Sequence, residues 1–131
     1  MTVSGSYLLD ANIVIALFAQ EAGLLARLNS VAGFAVPVVV LGELYYGARK
    51  SNRVAVNIAR VDTFAAGNVI LECDHVTAQH YGSIRNELLS KGRPIPENDI
   101  WIAAVAVQHG LILVSRDHHF QEIAALQLER W

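Results

Sequence analysis

Short, unbroken apolar runs alternate along this chain with longer segments of helical periodicity, which predicts an α/β fold with helices on both faces of a central, mostly parallel sheet. Two further observations fit that prediction. The chain has 131 residues and a mass of 14.3 kDa, one ordinary domain, which at this size buries roughly two-thirds of the surface its unfolded chain exposes. No internal repeat, low-complexity tract or Pro/Gly/Ser-rich linker divides residues 1–131, so all elements are expected to share one core.

The elements follow in order. Tyr7-Leu8-Leu9 is a short apolar run ending at Asp10, and Asn12 can cap a helix over 13–19, so the chain opens as strand, acidic turn, helix. Residues 33–36 read as a second strand. Pro37 suits the first turn of a helix over 38–50, where its missing N–H is not needed. A helix over 54–66, a strand over 69–71 and a helix over 77–89 closed by Lys91-Gly92 come next. Arg93-Pro94-Ile95-Pro96 is a stiff loop. The last helix begins at Asn98 or Asp99, runs through Gln108 and stops at Gly110, and the apolar run 111–114 suits a buried strand ending at Ser115-Arg116-Asp117. Ligands in such sheets gather at the carboxyl ends of the strands.

Composition narrows the function. Hydrophobic residues make up 53% of the chain and charged residues 17%, against about 25% charged in an average soluble domain. That balance excludes a disordered chain and a basic nucleic-acid-binding tail. Ten Lys and Arg against twelve Asp and Glu give a net charge of −2, so any nucleic-acid contact must be local or assisted by a metal. Cys73 stands alone and cannot form an internal disulfide, and the N-terminus has no basic leader, which points to a cytoplasmic protein. The uncharged stretches 28–42 and 100–115 are shorter than the roughly 18 apolar residues of a membrane span, so no membrane partner is expected.

Four acids stand where acids are informative. Asp10 and Asp117 each follow an apolar strand-like run, and if those strands are parallel neighbours the two carboxylates meet at one edge of the sheet. Each also suits a turn or a helix cap. Glu43 lies inside the apolar segment VVVLGELYYG, where an unpaired buried carboxylate must be protonated or bind a cation, unless it lies on an exposed face beside Tyr46 or pairs with Lys50. Asp99, in PENDIWIAAVAVQHG, falls in a first helical turn, where it interacts favourably with the helix dipole. Four acids converging from distant parts of the chain repel one another, and a bound metal relieves that repulsion. Hard oxygen ligands suit Mg2+ or Mn2+, and the chemistry they imply is phosphodiester hydrolysis by a metal-activated water.

Together the segments YLLDANIVIAL, VVVLGELYYGARKS and ENDIWIAAVAVQHGLILVSRDHHF, in this order and spacing, resemble the PIN-domain ribonucleases, in particular the VapC-type toxins of toxin-antitoxin pairs. The resemblance covers nearly the whole chain. It implies a three-layer α/β/α sandwich, a magnesium-dependent endoribonuclease acting as a toxin on RNA, and an antitoxin protein as partner. It also implies an acidic site of Asp10, Glu43, Asp99 and Asp117, with Asp10 and Asp99 as metal ligands and Asn12 and Ser115 as supporting polar residues. Arg116 is a candidate contact for an RNA phosphate. A chain so poor in charge is also expected to keep an apolar patch, either a homodimer face or an antitoxin groove.

Other signals carry less. His118 and His119 are adjacent and should point apart, and with His75, His80 and His109 they complete no zinc spacing, so all five read as surface groups. Cys73 reads as a small buried hydrophobe, and Trp101, Tyr45 and Tyr46 as packing residues. No GxSxG, Walker or dinucleotide-binding glycine pattern is present. Two other functions are compatible with the same acids: a non-catalytic interaction module that binds a structural cation, and a phosphate-handling enzyme using Asp10. The second lacks a companion acid two residues on, where Asn12 stands.

Overall fold

The computed structural model describes residues 6–131, so the reading of the N-terminus as leader-free rests partly on residues outside the described ones. Five strands, β1 (Tyr7–Leu9), β2 (Phe34–Pro37), β3 (Val69–Leu71), β4 (Ile112–Val114) and β5 (Gln127–Glu129), form one sheet in the order β3-β2-β1-β4-β5. Every neighbouring pair is parallel. Six helices connect and cover them: α1 (Ala11–Phe18), α2 (Ala22–Ser30), α3 (Val38–Arg49), α4 (Val54–Ala66), α5 (His75–Ser90) and α6 (Glu97–His109).

The apolar runs explain the order. Leu8, Leu9, Leu113 and Val114 are fully buried, so β1 and β4 occupy the middle of the sheet, while Val69 on β3 and Gln127 on β5 lie at its edges and are exposed. β1 pairs with β4 in the register Leu9↔Val114, and the Asp10 N–H continues the ladder to the Val114 carbonyl at 3.0 Å. From β1 the chain winds outward through β2 to β3, whereas β4 and β5 lie on the other side. The boundary between β1 and β4 is therefore the topological switch point at which α/β sheets open a crevice. The expected meeting of these two strands is what the fold contains.

α6 is the central helix. Ile102 through Ala106 are all fully buried, so its apolar residues run around the whole circumference instead of forming one stripe. It stops where expected: Gly110 takes φ 65°, and the Leu111 N–H returns to the Ala106 carbonyl at 2.9 Å. Gly92, at φ 67°, ends α5 in the same way, with Arg93 N–H bonded to the Leu88 carbonyl.

Several boundaries depart from the sequence reading. Asp10, not Asn12, caps α1, because its carboxylate accepts the Ala11 N–H at 2.8 Å. Pro37 closes β2 with extended backbone and precedes α3 instead of entering its first turn. α5 starts at His75, two residues early, since Asp74 and Thr77 form a capping box there. α2 and β5 were not anticipated: α2 buries only Leu24 and has no side-chain cap, and β5 is three residues with one exposed. Neither leaves a periodic signature. Cys73 is exposed, because it sits in the loop before Asp74 and not in β3.

Candidate metal centre

Asp10 leaves β1 just as the chain turns into α1, and Ser115 leaves β4 beside it. The Ser115 hydroxyl donates to Asp10 Oδ2 at 2.7 Å, and the Asn12 amide approaches both, at 3.3 Å from Asp10 Oδ2 and 3.4 Å from Ser115 Oγ. Asn12 Oδ1 in turn accepts the Arg116 N–H at 3.2 Å, and Ser115 Oγ accepts the Asp117 N–H at 3.0 Å. Asn12 and Ser115 thus knit the two strand ends together and fix the Asp10 carboxylate. Asp10 is 5% exposed, and burial raises its pKa against the opposing hydrogen bonds.

Three further acids face the same pocket. Its volume is about 420 Å³, and Asp10, Asn12, Glu43, Asn98, Asp99 and Asp117 contribute to its lining. Glu43 projects from the middle of α3, with Oε1 buried and without a hydrogen-bond partner. Burial is the main cause of its raised pKa, with the neighbouring Asp10 and Asp99 charges adding to it and Asn98 opposing. Asp99, in the first turn of α6, has a pKa raised to about 6 by burial first and then by Asp10 and Asp117. Asp117 caps a short 3-10 turn, His118–Glu122, through the His119 N–H at 3.0 Å.

That turn brings in a residue the sequence reading set aside. His119 Nδ1 lies 3.1 Å from Asp117 Oδ1 and 3.5 Å from Asp99 Oδ2. Asp99, Asp117 and His119 each offer one ligand atom within 4.8 Å of the others. All four expected acids therefore share one pocket, and His119 adjoins two of them, Asp99 and Asp117. Asp10, expected as a direct ligand with Asp99, lines the same pocket, its carboxylate oriented by Ser115, Asn12 and Ala11. The donor set fits a divalent cation: buried, mutually repelling carboxylates and an orphaned Glu43 oxygen are costly without one.

Arg116, expected as a phosphate contact, makes a bidentate pair with Glu21, at 2.5 and 3.1 Å, and donates to the Trp131 carbonyl at 2.8 Å. Lys50 lies over the Tyr46 ring, 4.9 Å from its centroid, instead of pairing with Glu43. Tyr46 is 65% exposed and does not pack in the core, whereas Trp101 stacks on Tyr81 with ring centroids 4.1 Å apart. Asn98, read only as a helix start, lies against Glu43.

With this geometry in place, comparison with known families matches the PIN domain over residues 7–126. The chain belongs to the PIN-domain family. Within it, the chain is 42% identical to Ribonuclease VapC2 of Haemophilus influenzae over 128 residues, covering 95% of this chain and 97% of that protein. It is 35% identical, with the same coverage, to the tRNA(fMet)-specific endonuclease VapC of Shigella flexneri. The solved structure of VapBC2 from Rickettsia felis bound to a DNA fragment from their promoter superposes with a TM-score of 0.89 at 30% identity, over 96% of this chain and 98% of that one. This is a PIN domain of the VapC type. Its five-stranded parallel sheet flanked by six helices is the α/β/α arrangement that the resemblance implies.

Proposed function

We propose that this PIN domain is an endoribonuclease toxin that hydrolyses RNA at the Asp10, Glu43, Asp99 and Asp117 pocket with Mg2+ or Mn2+, and that an antitoxin protein restrains it. The observation that carries this reading is the convergence of four acids from β1, α3, α6 and the turn after β4 on one open pocket. Relatives named as ribonucleases support RNA as the substrate, and one named for tRNA(fMet) supports a structured RNA.

Asp99 and Asp117, together with Asp10 fixed by Ser115 and Asn12, would hold the cation. When bound, a divalent cation supplies charge neutralisation at the phosphate and a lowered pKa for an attacking water. Glu43 lines the pocket with its Oε1 unpaired, and its raised pKa would suit it to take a proton from an attacking water. Arg116 does not meet substrate in this scheme. It ties the Ser115-Asp117 turn to Glu21 and to the end of β5, keeping the carboxylates in register.

An apolar groove of about 420 Å³ between α1, α3 and α4, lined by Phe18, Leu44, Ala48 and Val61, shares Ile15 and Glu43 with the acidic pocket. It is the surface on which the antitoxin is placed, and structures of related VapBC pairs support such a partner. No single helix among the described residues is long and apolar enough to cross a membrane. The same reading includes a homodimer, for which light scattering should give twice the 14.3 kDa chain mass.

Expression in cells lacking an antitoxin tests the proposal. Growth should arrest with the native chain and continue with Asp10→Asn at equal protein level. Arrest by both chains would remove the acidic pocket from the activity.

A further inference from the structure

His119 is placed differently from a surface histidine. Phe120, 1% exposed, anchors the 3-10 turn in the core, and the Asp117 carboxylate caps that turn by accepting the His119 N–H. Those two constraints fold the His119 ring back over its own cap, while His118 stays exposed with its ring centroid 5.0 Å away. One edge of the His119 ring meets solvent. The other edge, Nδ1, is buried, faces the two carboxylate oxygens, and has no hydrogen bond of acceptable geometry.

Asp99 provides the second half of the observation. Its side chain is 10% exposed, and apart from His119 no described residue offers it a donor. An unpaired, nearly buried carboxylate thus faces a buried, unpaired imidazole nitrogen, with the Asp117 oxygen completing a triangle whose members lie within 4.8 Å. Two ligands of one ion at about 2.1 Å lie at most about 4.2 Å apart, so small side-chain rotations close this triangle on a cation.

On the reading that the acidic pocket holds a divalent cation, we infer that His119 Nδ1 is one of its ligands, together with Asp99 and Asp117. The centre is then a mixed nitrogen–oxygen site. Mg2+ favours oxygen donors, whereas imidazole suits first-row transition metals. The ion this chain takes in preference to Mg2+ is therefore a divalent first-row transition metal, for which Mn2+ serves as the paramagnetic probe.

Pulsed EPR of Mn2+ added to tag-free, EDTA-stripped protein reads the ligand directly, since a bound imidazole imprints a 14N modulation on the Mn2+ signal. The native chain and His118→Ala should show that modulation. His119→Ala and His119→Asp should lose it. His119→Ala should also weaken Mn2+ binding by about tenfold or more, a loss at least as large as removing an outer partner of a metal ligand. His119→Asp, which restores an oxygen donor, should retain binding and compete less well for Mn2+ against Mg2+. Tight Mn2+ binding without 14N modulation, or modulation that persists in His119→Ala, overturns the assignment while leaving the acidic site standing. No Mn2+ binding by the folded native chain overturns both.

Discussion

Asp99 carries the largest electrostatic cost in the pocket. Its pKa is pushed up from the ordinary 3.8 to about 6, because burial and then the Asp10 and Asp117 charges disfavour its anion. The sign follows from proton linkage. Below about pH 3 the group is protonated in both states, and well above pH 6 it is ionised in both at a cost borne by the native state, so stability falls as pH rises through that window. In EDTA, Asp99→Asn should raise unfolding free energy at pH 8 by about 1–3 kcal/mol and leave it nearly unchanged at about pH 3, read by urea denaturation. Ser115→Ala acts in the opposite direction. It removes a donor to Asp10 and an acceptor for Asp117 N–H in a residue 2% exposed, and should cost about 1–3 kcal/mol at neutral pH in the same assay. The acids were legible in the sequence, since Glu43 interrupts an apolar helix and Asp10 and Asp117 end apolar runs. His119 was not, because its orientation is set by a 3-10 turn that no hydrophobic period announces.

Among the elements, those with a continuous apolar run or a glycine stop could be read from the chain, and the surface elements α2 and β5 could not. α4 and β3 fall where the pattern puts them. α6 is found by its apolar run and by Gly110, whose left-handed backbone ends the helix and aims the chain into β4. Gly110→Ala has room for the added carbon but must hold φ 65°, and should cost about 1 kcal/mol of stability in thermal unfolding while leaving the cleavage pattern unchanged. α2 escaped detection because it follows Gln20, a non-glycine residue at φ 57°, and lies almost wholly on the surface. The functional consequence is at Glu21, which that turn delivers to Arg116 and so to the loop carrying Ser115 and Asp117. Short edge strands such as β5 give no alternation to detect.

For the molecule as a whole, the strand order decides where chemistry sits. Alternating runs and helices announce a parallel α/β sheet, but which strands are neighbours depends on crossovers that composition does not encode. The order β3-β2-β1-β4-β5 places Asp10 and Ser115 side by side at the switch point, and α3 and α6 bring Glu43 and Asp99 to the same crevice. The charge balance sets how RNA can be held. Of ten Lys and Arg, four are in ion pairs, those of Arg27, Arg85, Lys91 and Arg116, which leaves six to meet phosphates on a chain whose net charge is −2. RNA affinity should therefore fall only gently with salt, with a log–log slope of about −1 to −2, measured by filter binding of the Asp99→Asn chain.

The central claim is that this pocket cuts RNA with a divalent cation. The measurement that tests it most directly is cleavage of a pool of structured RNAs, tRNA included, by purified antitoxin-free protein in Mg2+, Mn2+ or EDTA, beside Asp99→Asn. Discrete cleavage products in either metal, absent in EDTA and absent in the variant, are the result this account predicts. Equal cleavage in EDTA, or by a folded Asp99→Asn chain, would contradict it.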